Sequence, residues 1–301
     1  MEYLPQYQRV VYKLLHFFRL TTLARLCNRS RVMILCYHGI SERVNLDPED
    51  RSQILVTRSL FMSNLQYLMR YYRVISLRDY IEARQTGRQL HPHSVVLTFD
   101  DALRNFLTVA APVLNELHLP ATLFMVTDWA NRRGESILDR RWAIADDRTS
   151  LSWSEAAALA SSQGIECGSH TCSHLALPDL PIAEAERELS DSYYEMRKGL
   201  VEYAVPFLAY PYGAYSDAIA NKAREVGYLC ALTTDPGSNS RNTDLFRLRR
   251  AVVRRFDTIE VFAARVSGIV GWLRTSRHIL RSLLMPVVHI WKSSISHAPP
   301  C

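Results

Sequence analysis

Ser94-Val95-Val96-Leu97-Thr98-Phe99-Asp100-Asp101 decides the reading of this chain. Its first six residues form a continuous run, rich in β-branched side chains, with no alternation of apolar and polar positions. A strand of that kind is covered on both faces, as in a parallel sheet. The run ends on two adjacent carboxylates. Like charges side by side at the mouth of a buried strand raise one another's pKa, and desolvation adds to the cost of ionising them. Something cationic belongs against them, and the chain offers a partner in Ser169-His170-Thr171-Cys172-Ser173-His174. Two imidazoles and one carboxylate make a facial metal site with open positions, which leaves the second carboxylate to act as a base. The pattern outlines a metal-dependent hydrolase.

Working outward, Arg31–Gly39 reads as a second buried strand that ends in a loop carrying His38. A helix follows through Leu60, Phe61, Leu65, Leu68 and Met69, with Thr57 or Ser59 as N-cap, then a short strand over 73–76 and a helix over 77–84. Downstream, residues 103–117 are helical around Pro112, which either starts the main helix or kinks it. A strand over 121–126 leads into a polar stretch, 128–150, read as a surface insertion. Ser152-Trp153-Ser154-Glu155 has the form of a capping box, and 164–168 is the strand that delivers the histidines. A helix from Pro181 to about Leu200 and a strand over 207–210 follow, and the turn Pro211-Tyr212-Gly213 leads into a helix over 216–226. Strands near 228–233 and 248–253 complete the series. Repeated strand-then-helix units with short connections mean parallel pairing, hence an α/β barrel or a doubly wound sheet. The two aspartates, the two histidines and Pro211-Tyr212-Gly213 all follow the C-terminal ends of strands, the face on which such folds build their sites.

The ends of the chain carry its charge. The formal charge of +6 over 301 residues is modest. Residues 1–30, however, read as a basic amphipathic helix, and beyond Glu260 the chain has no acidic residue while Arg and Lys alternate with Ile, Leu, Val and Trp. Such ends suit either an anionic membrane surface or packing on the outside of a barrel. Lys13, His16 and Arg19 interrupt the N-terminal apolar run, so it does not read as a signal peptide, and no run is long enough to span a bilayer. The chain is expected to be cytoplasmic, with peripheral contact at the inner membrane face. Six scattered cysteines without a CxxC pair read as free thiols in a reducing compartment. Arg247-Leu248-Arg249-Arg250 reads as a strand with one charged face, and no nucleic-acid module accompanies it.

The combination of Thr98-Phe99-Asp100-Asp101, Ser169 to His174 and Phe207-Leu208-Ala209-Tyr210-Pro211-Tyr212-Gly213, in that order and at these separations, resembles the polysaccharide deacetylases of carbohydrate esterase family 4. These share the homology domain of the nodulation chitooligosaccharide deacetylases. The resemblance covers roughly residues 31–268 and implies a distorted (β/α) barrel of about seven parallel strands. The chain then divides into an N-terminal helix over 1–30, a catalytic barrel over 31–268 and a basic C-terminal extension over 269–301. It further implies metal-dependent removal of an acetyl group from a carbohydrate, such as the N-acetyl hexosamine units of a polysaccharide or lipid-linked glycan. Asp100 matches the family's general base, Asp101, His170 and His174 its metal ligands, and Tyr212 the residue whose backbone N–H helps to hold the oxyanion. Zinc is the first choice of ion, with cobalt, nickel and iron also compatible with the ligand set.

The chain departs from the pattern in three places. Ala102 stands where glycine usually follows the aspartates, which is tolerable unless that backbone needs a positive φ. Ala209 stands where many members carry an arginine that orients the base, so that arginine is missing or supplied from elsewhere. No late Leu-x-His motif supplies a general acid, and His38 is the natural substitute, with a plain loop histidine as the alternative reading. Trp153 and Tyr215 are candidates for a sugar-binding groove, or else simple packing residues. An amidase of the same fold and a catalytically silent glycan-binding protein stand as competing functions.

Overall fold

The apolar runs become strands that all point the same way. The computed structural model describes residues 6–43, 53–132 and 149–270. In chain order the strands are β1 (Met33–Tyr37), β2 (Ile40–Ser41), β3 (Val56–Thr57), β4 (Arg73–Ile75), β5 (Ser94–Phe99), β6 (Ala121–Met125), β7 (Ile165–Ser169), β8 (Ala204–Ala209), β9 (Cys230–Leu232) and β10 (Ala251–Val252). Seven of them form the path β10-β1-β5-β6-β7-β8-β9, every pairing parallel, with β4 as an added branch on β5; β2 and β3 make a separate two-stranded sheet. One edge of β5 runs beside β1, from Met33↔Val95 to Tyr37↔Phe99. On its other edge the first half of β5 pairs with β4 and the second half with β6. Leu248 bridges in parallel to Leu232 of β9, and β10 pairs with β1, so this last segment closes the curled sheet into a distorted barrel. That is the expected architecture.

The pleat assigns the two faces. Odd-numbered residues of β1 and β5 (Leu35, Tyr37, Leu97, Phe99) join the outer core, with Phe61, Leu65 and Leu68 of α3 (Arg58–Tyr71). Even-numbered residues face inward, where Ile34 and Val96 meet Tyr80 and Ile81 of α4 (Leu77–Thr86) at one end of the barrel. Further along the same inner face lie Cys36, Thr98 and Asp100, so strand period alone carries Asp100 into the lumen. Thr57 caps α3 through Leu60 N, one of the two N-caps read from the sequence.

Past β5, a π-helical turn over Phe106–Ala110 precedes α5 (Ala111–Glu116). Pro112 sits in the first turn of α5, directly after the π-helical turn, where the backbone is already helical through Ala110 and Ala111. After β6 comes the short α6 (Thr127–Asn131), and the Ser152–Glu155 capping box opens α7 (Trp153–Gln163). The barrel wall continues through α8 (Ile182–Leu200) and α9 (Asp217–Val226), and α10 (Ile259–Ser267) follows β10. Most of the insertion read over 128–150 lies outside the described residues.

The N-terminal segment is two helices where one is expected. α1 (Gln6–Phe17) and α2 (Leu20–Cys27) are broken at Arg19, whose φ of 57° is left-handed. Ala24, with Tyr12 and Leu15, packs against Ala264 and Ile269, and Asn28 Nδ2 donates to Ser267 O at 2.9 Å, which seats the pair on α10. The basic C-terminal extension falls outside the described residues beyond position 270. No helix among the described residues is long and apolar enough to cross a membrane. Cys36, Cys167 and Cys230 are buried free thiols, as the apolar runs around them predict.

Candidate active site

The lumen of the barrel presents a carboxylate already paired with a cation. Arg250, fully buried, donates from both terminal nitrogens to the two oxygens of Asp100 at 2.7 Å each. Its Nε donates to Thr233 O at 2.8 Å, and one terminal nitrogen also reaches Thr98 Oγ1 at 3.3 Å. Planar, bidentate pairs of this kind fix orientation as well as charge. Burial raises the Asp100 carboxyl, but Arg250, with help from His170 and His38, outweighs it and holds the group well below the usual carboxylate range. The sequence reads the arginine run as a strand with one charged face; Arg247 and Arg249 lie toward solvent, whereas Arg250 is buried on the other face. In a strand of period two Arg250 shares a face with Leu248, which lies in the inner core, and that alternation was the available signal.

Asp101 is placed by a backbone reversal. Its φ is 70° and that of Ala102 is 47°, two consecutive left-handed residues without glycine, a conformation that costs roughly 1–2 kcal/mol per residue. The alanine therefore does stand where a positive φ is required. Asp100 N still donates to Tyr37 O at 2.9 Å, so the reversal begins one residue beyond the ladder and turns Asp101 toward β7.

His170 leaves the end of β7 with its Nδ1 2.7 Å from Ala209 O, so Nδ1 carries the proton and Nε2 presents a lone pair. That Nε2 lies 3.5 Å from Asp101 Oδ1, and His174 Nε2 lies 3.4 Å from the same oxygen. Burial lowers the His170 pKa to about 4, overcoming the pull of Asp100 and Asp101, so the ring is neutral and able to ligate at neutral pH. The turn between the histidines is left-handed at Thr171 (φ 66°) and His174 (φ 62°). Glu188 of α8 holds it, accepting from the N–H groups of Cys172 and Ser173 at 3.0 Å each and from the Ser173 hydroxyl. Sequence reasoning missed Glu188, because nothing local in a charged helix marks one glutamate among several.

Asp101, His170 and His174 fit a divalent cation. Asp101 Oδ1 is buried with no hydrogen-bond partner among the described residues, an orphaned acceptor aimed at two imidazole nitrogens. Donors about 2.1 Å from a shared ion at a tetrahedral angle lie about 3.4 Å apart, close to the separations found. Burial raises the Asp101 carboxyl, opposed first by His38 and His170, and a cation in that position would favour the carboxylate. Cys36, His38 and Asp100 form a second cluster of potential ligands, with atoms within 4.8 Å of one another. It suits a metal poorly: Arg250 takes both oxygens of Asp100, and burial pushes the Cys36 thiol well up, so that it donates to Asp100 Oδ2 at 3.4 Å. Cys172, between the two histidines in the sequence, belongs to neither cluster.

His38 is half-buried beside Asp100, and its Nδ1 has no hydrogen-bond partner among the described residues. Tyr212 follows β8 with φ 59°; the residue is 56% exposed and its ring lies 4.7 Å from that of His174. Gly213 (φ 72°) lets this turn press on the next strand connection, where a Cβ would sit 2.3 Å from Thr234 N. Trp129, at the mouth of β6, lies with its ring 5.3 Å from His174 and completes an aromatic flank with Tyr212. Trp153 instead packs on Gly199 between α7 and α8, and Tyr215 stacks on Tyr210 at 5.5 Å.

A parallel α/β barrel whose lumen opens onto an Asp-His-His donor set beside a separately anchored carboxylate defines a hydrolase class suited to a divalent cation. Residues 87–231, just under half of the chain, match the family model described as polysaccharide deacetylase, and the chain is similar to members of that family, carbohydrate esterase family 4. YxkH of Bacillus subtilis is 24% identical over 241 residues, 80% of this chain and 77% of its own. The poly-beta-1,6-N-acetyl-D-glucosamine N-deacetylase of Staphylococcus epidermidis is 24% identical over 213 residues, 68% of this chain and 70% of its own. Among solved structures, Streptococcus pyogenes deacetylase PplD in complex with acetate superposes with a TM-score of 0.66 at 24% identity, covering 78% of this chain and 98% of that one; the likeness concerns the fold.

Proposed function

We propose that the protein is a metal-dependent carbohydrate N-deacetylase, with Asp101, His170 and His174 holding the ion and Asp100 acting as general base. A bound divalent cation in that position lowers the pKa of water and polarises a carbonyl. The division between the two adjacent carboxylates supports the reading best. Arg250 clamps Asp100 in the ionised form with a fixed orientation, while Asp101 keeps an unshared oxygen toward the imidazoles. Asp100 takes the proton from the attacking water, the Tyr212 N–H donates to the developing oxyanion, and His38, on the Asp100 side of the site, protonates the leaving amine. Trp129 and Tyr212 offer aromatic faces to a pyranose ring beside the reacting group. The substrate class follows the Staphylococcus epidermidis relative: N-acetylglucosamine units of an oligo- or polysaccharide.

Acetate release from a panel of acetylated oligosaccharides tests the proposal. His170→Ala should abolish it, and His38→Ala should lower it by roughly 10²–10⁴-fold. Full activity of His38→Ala beside an inactive His170→Ala would remove His38 from the mechanism. Metal bound at normal occupancy with no acetate from any glycan, but turnover of simple amides, would replace the deacetylase reading with an amidase.

A further inference from the structure

Half of the large apolar side chains exposed in the described residues lie within seventeen consecutive positions, 10–26: eight of sixteen. α1 turns Tyr12 and Leu15 toward α10 and leaves Val10, Leu14 and Phe17, the last 78% exposed, facing outward. Phe18 continues this face across the break at Arg19, and Leu23 and Leu26 extend it along α2. The Phe17 and Phe18 rings meet edge to face at 5.2 Å and form the corner. Exposed apolar side chains grouped this closely mark an interaction surface.

Its charge indicates which partner. Between Glu2 and Glu42 the sequence has six Lys and Arg residues and no acid. Lys13, Arg19, Arg29 and Arg31 are exposed, and Arg25 is engaged with Tyr71. A twofold contact between copies of this face would set those cations against one another, whereas anionic headgroups attract them. The corner also lies toward the catalytic end. Lys13 and His16 sit near enough to Glu260 to favour its carboxylate, and Glu260 is in the first turn of α10, where the chain has just left the C-terminal end of β10.

We propose that α1 and α2 dock in the headgroup layer of an anionic bilayer, Phe17 and Phe18 innermost, and hold the open end of the barrel near that surface. The docking stands apart from the chemistry of the site: vesicle partition reads one and acetate release from a soluble oligosaccharide reads the other. The full chain should co-sediment with phosphatidylcholine vesicles that contain phosphatidylglycerol, and far less with phosphatidylcholine alone, by about fivefold per participating cation. Phe17→Ser/Phe18→Ser should weaken partition by on the order of tenfold per side chain, and Lys13→Glu/Arg19→Glu should remove the preference for anionic lipid. Both variants should keep wild-type acetate release, which also shows that they fold. Equal partition of wild type and both variants would overturn the proposal. So would a lack of vesicle binding by wild type, whether a concentration-dependent dimer lost in Phe17→Ser/Phe18→Ser shows that a second copy covers the face, or a monomer shows that residues 271–301 do.

Discussion

Replacing Arg250 by Met removes the guanidinium and keeps most of the buried volume, so it isolates the electrostatic role of the pair. Two charge-assisted hydrogen bonds of 2.7 Å disappear, and Asp100 is left fully buried with only His170 and His38 to favour its charge. Removing one partner of a buried pair costs about 3–5 kcal/mol. For a domain of this size that lowers Tm by about 6–20 °C. The pH dependence has a definite sign. In wild type the folded Asp100 pKa lies below its unfolded value, so its stabilisation is present above about pH 3.9 and is lost only as pH falls further. In Arg250→Met, burial dominates and the folded pKa rises above the unfolded one, so the variant is penalised increasingly as pH rises. The Tm gap between the two proteins should therefore be widest near neutral pH and narrow toward pH 4, where the wild-type contribution persists. Adding Asp100→Asn to Arg250→Met removes the stranded charge and should recover part of the loss, a coupling that a double-mutant cycle reads directly. Thermal melts of the four proteins at several pH values, with metal content measured alongside, supply the data. A coupling energy near zero, or a Tm gap independent of pH, would refute the view that Arg250 holds the base ionised.

Glu166, mostly buried in the lumen, accepts from Thr122 Oγ1 at 2.8 Å, and burial raises its pKa. A raised carboxyl stabilises the fold at low pH and loses that contribution as pH rises through the folded value, so Glu166→Gln should raise Tm at pH 8 and leave it unchanged below about pH 4; a Tm lowered at pH 8 would contradict this. Glu188→Ala removes the acceptor that shapes the turn before His174 and should weaken metal affinity by about 10–100-fold, read by competition with a chromogenic chelator; unchanged affinity would show that the turn holds itself. Trp129→Ala should raise KM for an oligosaccharide while leaving kcat within a few-fold, and an effect on kcat alone would place Trp129 in the chemistry instead.

Much of the fold was legible because parallel strands buried on both faces leave uninterrupted apolar runs. β5, β6 and the histidine-bearing β7 could be placed from sequence, with ends shifted by a residue or two. β4 was read as a strand, but its place as a branch on the first half of β5 depends on pairing that no local pattern encodes. The donor set was legible for a related reason: Asp101, His170 and His174 each follow a strand end, and a shared end of a parallel sheet brings them together. What stayed hidden acts across long separations. Arg250 meets Asp100 from 150 positions away, and a run of four residues with three arginines looks like surface unless strand period is applied to Leu248 and Arg250 together. Trp129 was lost within a stretch read as irregular insertion, while Trp153 takes the packing role that stood beside its groove role in the sequence, against Gly199. The break at Arg19 follows from a left-handed residue without glycine, which sequence alone does not signal.

The central claim, that Asp101, His170 and His174 hold an ion on which deacetylation depends, is tested most directly by measuring bound metal and acetate release on the same samples. The protein should be stripped with chelator and then titrated with zinc against an acetylated glucosamine oligosaccharide. Acetate release should be absent at zero occupancy, rise in proportion to bound ion, saturate at one ion per chain, and fail to return in Asp101→Asn. Full acetate release from protein free of metal, or saturation of the ion with no gain in acetate, would contradict it.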